Sequence, residues 1–354
     1  MKLFISAGGT GGHIFPGIAV AEAFAAQAGN EAVFIGTPYG LEDAIIPRYG
    51  FRLLHIKARQ FIGQSMIKKI ATMMGVLTGI CVAIFLIKRE KPDAVLGMGG
   101  FTSVPVVLAA ALLGVPSFIH EQNVQPGLAN RLLSRFVKGT FISFDATREY
   151  LNGKRVLHTG NPLRTRLTRA DGAAGKSGFG LFIFGGSRGA RSINDSVLAI
   201  LPRMEEHKNL TMYHQTGPED FARVKRGYEG SGVAHEVFPF TDDMERYYGL
   251  SDVVISRAGA STIFELAFFK KAAILIPYPY SAGGHQWKNA TYVENGGGGY
   301  VIGDDEASGE RLYNAVSHLM HEPELIKEMG ENIGKIYIKA SAELIIRGIF
   351  HGIP

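Results

Sequence analysis

Residues 4–13 read FISAGGTGGH, and residues 182–189, about half the chain later, read FIFGGSRG. Each is a short apolar strand pattern that breaks into a glycine turn with a hydroxyl residue at its centre, and a helical pattern follows. Glycine lets backbone N–H groups approach an anion closely, and the N-terminus of the next helix adds partial positive charge. One such turn at the head of each half predicts an α/β chain of two doubly wound, Rossmann-like domains. They are expected to face a cleft that takes phosphate groups from both sides.

The composition agrees with that reading. A chain of 354 residues is long enough for two domains with separate cores. An apolar fraction of 46% with 45 glycines suits many tight strand-to-helix turns. The single cysteine, Cys81, excludes an internal disulfide and fits a reducing compartment. The first residues read as a strand carrying only Lys2 before the glycine turn, which is unlike a secretory signal. A formal charge of +5 favours an anionic partner: nucleic acid, acidic lipid or a phosphorylated ligand. RNA-binding signatures and long Lys/Arg runs are missing, so nucleic acid is discounted.

Strands are expected at 2–6, 32–35, 53–56, 94–97, 116–120 and 139–142, with helices at about 16–27 and 41–47 among them. Residues 160–180 read as a linker. The second half restarts with strands at 181–184, 211–215, 236–238, 253–256, 273–276 and 300–302, and a polar helical stretch runs from 323 onward. Such alternation implies parallel sheets covered on both faces. Residues 70–87, IATMMGVLTGICVAIFLI, carry no charge and are flanked by Lys68, Lys69, Lys88, Arg89 and Lys91. A membrane span there would put strands of one sheet on opposite sides of a bilayer. The segment reads instead as a core helix or as one with a face at the membrane interface, and its basic flanks favour the interface.

The Gly8 turn is a poor dinucleotide fingerprint: Ile14 stands at its third glycine position, and Gly36-Thr37 replaces the ribose-binding acid after the second strand. His13 follows the turn. It can donate to a phosphate, accept a proton, or simply satisfy the helix start. A second cluster, GMGGFTS at 97–103, also follows a strand and opens a helix, so the two turns of one domain could wrap a pyrophosphate. HEQN at 120–123 is either a dense hydrogen-bonding rim or a capping loop, and has no metal-site spacing. In the second half, DVVISRAGASTIFE at 252–265 is a strand, a small-residue turn and a helix start suited to another anionic group. Glu265 there can grip ribose hydroxyls or merely complement the helix dipole. HQWKN at 285–289 offers amide and imidazole groups to sugar hydroxyls.

Taken in order, GGTGGHIFPG (8–17), GMGGFTS (97–103), HEQN (120–123), GNPLR (160–164), GGSRGAR (185–191), PFTDDM (239–244), SRAGASTIFE (256–265) and HQWKNA (285–290) cover nearly the whole chain. Together they resemble the N-acetylglucosaminyltransferases of bacterial peptidoglycan synthesis, within the GT-B glycosyltransferase superfamily. The resemblance implies an N-terminal acceptor and membrane-associated domain at 1–161 and a C-terminal UDP-GlcNAc-binding domain at 162–337. A terminal helix at about 338–354 is expected to return to the first domain.

By the same resemblance, Thr241 and Met244 lie at the uracil, Glu265 holds the ribose, and Ser187 with its glycine turn binds the diphosphate. Thr10, Gly11, Gly12, Asn123, Ala260, Ser261, Thr262, His285, Gln286 and Asn289 join the donor site, and Arg164 lies near the nucleotide. Gly9, Gly12, Gly99 and Gly100 take the diphosphate of the lipid-linked acceptor, lipid I. Residues 59–65 stand where the family has its acceptor loop, and residues 70–87 where it meets an anionic membrane surface, on the cytoplasmic face of the bacterial cell membrane. Docking of other wall-synthesis proteins is left open.

The implied reaction is an inverting transfer of GlcNAc to the C4 hydroxyl of the acceptor's N-acetylmuramyl unit, giving lipid II without a metal or other cofactor. His13 is the first candidate for the base and Glu121 the second. Two domains closing over the substrates would limit hydrolysis of the donor. A UDP-GlcNAc epimerase or hydrolase of the same architecture is the rival enzyme, and a nucleotide-sugar-binding or membrane-scaffold protein without turnover is the non-enzymatic alternative.

Overall fold

The computed structural model describes residues 1–56, 66–151, 155–168 and 178–353, so the expectations for residues 59–65 and for residues 169–177 of the linker lie outside the described residues. The chain divides into two units, Met1–Thr165 with Ile338–Pro354, and Arg166–Tyr337.

The first unit is built from β1 (Lys2–Ser6), α1 (Gly11–Ala25), β2 (Glu31–Gly36), α2 (Leu41–Ile45), β3 (Arg52–His55), α3 (Met66–Glu90), β4 (Ala94–Gly97), α4 (Ser103–Leu112), β5 (Ser117–Glu121), α5 (Leu128–Leu133), β6 (Gly139–Ile142) and β7 (Val156–His158). A short helix, α6 (Thr165–Thr168), follows. The strands form one parallel sheet in the order β3-β2-β1-β4-β5-β6-β7. β1, β4 and β6 are apolar runs rather than alternating patterns because helices cover both faces of the sheet.

The second unit continues with β8 (Phe179–Phe184), α7 (Arg191–Met204), β9 (Leu210–Gln215), α8 (Phe221–Tyr228), β10 (Ala234–Phe238), α9 (Met244–Leu250), β11 (Val253–Ser256), α10 (Ala260–Phe269), β12 (Ala272–Leu275), α11 (His285–Asn295), β13 (Gly299–Val301), α12 (Gly309–His321) and α13 (Pro323–Gly334). Its parallel sheet runs β10-β9-β8-β11-β12-β13. α7 shows how such helices seat themselves: Ile193, Val197, Ile200, Leu201 and Met204, three or four residues apart, are buried on one face. The chain then returns to the first unit as α14 (Ser341–His351). There Ile345, Ile346 and Ile349 join the core, and Phe350 stacks on Phe24 at 5.3 Å.

Three local features differ from the sequence reading. α1 begins at Gly11, not at Pro16, which lies inside it. The first amides of a helix have no carbonyl partner within it, so glycine pairs with that turn well enough for an early start. The strand expected at 116–120 runs one residue further, so Glu121 belongs to the end of β5 rather than to the loop beyond it. β7 is only three residues long, too short for a pattern of its own.

Candidate active site

In each sheet the order reverses between two adjacent strands, β1 and β4 in the first unit and β8 and β11 in the second. Open parallel sheets bind ligands just beyond the carboxyl ends of strands at such a point. All four strands end in the turns singled out by the motifs.

In the first unit the Gly8 and Gly97 turns lie against each other. A Cβ on Gly100 would come within 2.7 Å of Gly8 C=O, and one on Gly99 within 3.1 Å of the His13 ring. Gly9, Gly99 and Gly100 all have positive φ (89°, 97° and 75°), which side-chain-bearing residues rarely adopt. Thr10 is the N-cap of α1, and His13 and Ile14 both donate to its carbonyl. Among the described residues, no acceptor takes the N–H of Gly11 or Gly12, so the helix start presents both amides outward. Gly9 N–H and Gly99 N–H are engaged within the protein, by Glu42 Oε2 at 3.2 Å and Ser103 Oγ at 3.1 Å. The Gly9 and Gly99 amides, expected at the acceptor diphosphate, are therefore already taken within the protein, whereas those of Gly11 and Gly12 are not.

His13 is half-buried, and its Nδ1 lies 3.2 Å from both Gly8 C=O and Thr10 Oγ1. Donation from Nδ1 to the carbonyl places the basic lone pair on Nε2. His120 is fully buried, with Nε2 donating to Gly160 C=O at 3.1 Å and Nδ1 accepting from Gln122 Nε2 at 2.9 Å. Burial, with His13 nearby, pushes its pKa down to about 4 and keeps the ring neutral at physiological pH.

Glu121 does not suit the role of base. Its Oε1 accepts from Asn123 N–H at 2.9 Å and Asn123 Nδ2 at 3.1 Å, and its Oε2 from Gly127 N–H at 3.1 Å and Asn130 Nδ2 at 2.8 Å. Four donors on a buried carboxyl make it the hub of the HEQN turn. Asn123, expected at the sugar, has its side-chain amide on that hub. Asn130 was not legible in the sequence. Nothing marks an asparagine inside a short helix, yet its amide also donates to His120 C=O at 3.0 Å.

In the second unit Gly186 and Gly189 carry positive φ (89° and 77°), and Ser187 is exposed at the tip of the turn. α7 follows, its first helical bond running from Asn194 N–H to Ala190 C=O at 3.0 Å. Beside it, α10 starts from the N-cap Gly259, and its bonding begins with Ile263 N–H on Gly259 C=O at 3.0 Å. The amides of Ala260, Ser261 and Thr262 precede that bond and form a second helix start. The Ser261 hydroxyl is buried with no hydrogen-bond partner among the described residues. Gln215, which nothing in the sequence marks because it closes a strand, bridges the Gly186 turn and the segment at Thr241. Its Nε2 donates to Gly186 C=O at 3.2 Å and its Oε1 accepts from Thr241 N–H at 3.1 Å. Met244 is buried at the start of α9. Glu265, one turn into α10, accepts from Tyr248 Oη at 2.8 Å, which orients its carboxyl.

Several expected contacts are placed otherwise. Asn289 is fully buried and donates to Ala258 C=O at 3.2 Å, so it supports the SRAG turn instead of facing a sugar. Gln286 Oε1 accepts from Tyr278 N–H at 2.9 Å, which ties down the preceding loop, while His285 opens α11 half-buried. Arg164 stacks 4.4 Å from the Phe15 ring centroid and donates to Tyr49 Oη at 3.2 Å, contacts of the first unit rather than of a nucleotide. Among the described residues, no three His, Cys, Asp or Glu side chains cluster as metal ligands.

α3 has two characters. Ala83, Leu86 and Ile87 pack into the core with Val106, Val107 and Ala110 of α4. On the other side Met74, Leu77 and Phe85 are more than half exposed, and Arg89 lies 5.6 Å from the Phe85 ring centroid. Leu112, Leu128, Leu132 and Phe136 of the same unit are exposed as well. No helix of the described residues is long and apolar enough to cross a membrane.

The model of the glycosyltransferase family 28 N-terminal domain matches residues 3–142, and that of the family 28 C-terminal domain residues 180–345. The UDP-N-acetylglucosamine--N-acetylmuramyl-(pentapeptide) pyrophosphoryl-undecaprenol N-acetylglucosamine transferase of Geotalea uraniireducens is 43% identical over 353 residues, 98% of this chain and 97% of that one. Its namesake in Citrifermentans bemidjiense is 40% identical over 355 residues, 98% of each chain. The crystal structure of MurG from Acinetobacter baumannii superposes with a TM-score of 0.81 at 28% identity, covering 98% of both chains. The chain belongs to glycosyltransferase family 28, among its MurG N-acetylglucosaminyltransferases.

Proposed function

We propose that this protein moves N-acetylglucosamine from UDP-GlcNAc to the C4 hydroxyl of undecaprenyl-pyrophosphoryl-MurNAc-pentapeptide, inverting the anomeric carbon. Identity of 40% or more over nearly the full length to enzymes named for that transfer supports it most directly, and it favours transfer over the epimerase alternative. The fold supplies what the chemistry needs: a turn pair at the sheet reversal of each unit, one for each diphosphate.

In this reading the amides that start α10, with Ser187 and the Gly185 turn, hold the donor diphosphate and stabilise departing UDP. Preorganised backbone dipoles do this without reorganising during the reaction, so no metal is required. Thr241 and Met244 line the uracil, and Glu265, held by Tyr248, grips the ribose. Gly11, Gly12 and Gly100 take the acceptor diphosphate, and His13 Nε2 takes the proton of the attacking hydroxyl. The exposed apolar face of α3, with its basic C-terminal turn, rests on an anionic membrane and brings the site to its lipid-linked acceptor.

Radiolabelled UDP-GlcNAc and a short-chain lipid I analogue test the reading. Label appearing in the disaccharide lipid supports transfer. Release of UDP without acceptor supports the hydrolase or epimerase instead, and binding without turnover rejects both enzymes.

A further inference from the structure

Three glycines from separate positions leave room for one carboxyl group. A Cβ on Gly8 would lie 2.8 Å from Glu42 Oε1, one on Gly36 would lie 2.5 Å from Glu42 Cγ, and one on Gly40 would collide with the carboxyl itself. Glu42, in the first turn of α2, is fully buried. Its Oε1 accepts from Thr37 N–H at 2.9 Å and Thr37 Oγ1 at 2.8 Å, and its Oε2 from Gly9 N–H at 3.2 Å.

A buried carboxyl group with donors on both oxygens is expensive to desolvate and expensive to disturb. Had it served only to join β2 to α2, the two Thr37 donors would suffice. The third bond reaches back 33 residues to the turn that ends β1. Gly9 has a φ of 89° and no side chain of its own to hold that conformation. Directly after it, Thr10 caps α1, and the Gly11 and Gly12 amides and His13 follow.

We propose that Glu42 is a positioning residue for acceptor binding. It takes the Gly9 N–H, holds residues 8–10 in place, and so aims the Gly11 and Gly12 amides and the His13 ring at the acceptor diphosphate. The inference rests on the acceptor role given above to this turn. Both oxygens of a carboxyl accept here, whereas an amide offers one acceptor. Glu42→Gln therefore sets an NH2 group against the N–H of either Gly9 or Thr37, whichever way it is turned.

The test compares full-length wild type and Glu42→Gln in steady-state kinetics with UDP-GlcNAc and a short-chain lipid I analogue, while backbone amide exchange is followed at Gly9. Orphaning one buried donor should raise the acceptor KM about tenfold or more. The UDP-GlcNAc KM and the heat of UDP binding should stay unchanged, and Gly9 exchange should quicken. An unchanged acceptor KM overturns the proposal, and so do equal losses for donor and acceptor, which mark general destabilisation. If the glutamine variant does not fold, Thr37→Val removes one donor to the same carboxyl. It should give a smaller rise in acceptor KM with faster Gly9 exchange, and no change in either overturns the idea. A wild type that transfers nothing to the lipid rejects the acceptor reading itself. Gly9 exchange needs no turnover, and equal rates in wild type and variant still overturn the role of Glu42.

Discussion

The His13 imidazole lies against Gly99, so that a Cβ on that glycine would sit 3.1 Å from both its Cδ2 and its Nε2. One strand-end turn thus presses on the histidine that follows another, and the backbone there has a φ of 97°. Gly99→Ala should do two things at once. The alanine strains the turn by about 1–3 kcal/mol, and its methyl pushes the ring from its bond to Gly8 C=O. The expected outcome is a fall in kcat with the heat of UDP binding unchanged, because the turns proposed to hold the donor belong to the other unit. A variant with wild-type kcat would mean that the placement of His13 is not critical.

Removing the imidazole is the more direct test of the base. General bases contribute about 100- to 10,000-fold, and His13→Ala should lose turnover on that scale while UDP still binds. Neighbouring His120 cannot substitute. Both its ring nitrogens are bonded, and burial holds it neutral with a pKa of about 4. Undiminished turnover in single-turnover assays would assign the proton to another group.

On the donor side, Gln215 joins two segments that are far apart in sequence. Its amide reaches Gly186 C=O and Thr241 N–H, and the side chain is almost entirely buried. Truncation to alanine leaves Thr241 N–H unsatisfied, at a cost of about 1–3 kcal/mol, while Gly186 C=O keeps only its bond from Gly189 N–H. We expect Gln215→Ala to weaken UDP binding about tenfold and to leave the acceptor KM unchanged. Calorimetry with UDP alone reads the first effect, and an affinity equal to wild type would confine Gln215 to a role in folding.

How much of this was readable beforehand depends on where the signal lives. The glycine turns were legible because positive φ and helix starts demand a residue type at a fixed place, as at Gly9, Gly99 and Gly186. The parallel sheets were legible because strands buried on both faces, such as β4 and β11, read as unbroken apolar runs. Side-chain supports left no such mark. Glu42, Asn130 and Gln215 act through bonds to backbone groups 33, 10 and 26 to 29 residues away, and nothing local marks them for that. Asn289 and Glu121 had the right chemistry for ligands, but only packing reveals that their polar atoms face inward.

Two buried histidines set how the protein meets acid. His214, like His120, is fully buried. Its Nε2 donates to Asn194 Oδ1 at 3.0 Å, its Nδ1 accepts from Tyr228 Oη at 3.2 Å, and burial outweighs nearby Asp220 to push its pKa down to about 3. The folded state keeps both rings neutral, whereas the unfolded chain protonates them below an ordinary pKa of about 6.5. The unfolded state therefore binds more protons, and stability falls as pH drops from about 6.5 toward about 4 for His120 and about 3 for His214. At pH 5 each contributes a loss of about 2 kcal/mol, or about 4–8 °C in the melting temperature of a domain this size. His214→Gln removes one titrating group while keeping an amide that can bond to Asn194. Melting curves at pH 7 and pH 5 should show the variant less stable at pH 7 but with a smaller drop between the two. Parallel drops in variant and wild type would place the acid sensitivity of the second unit elsewhere.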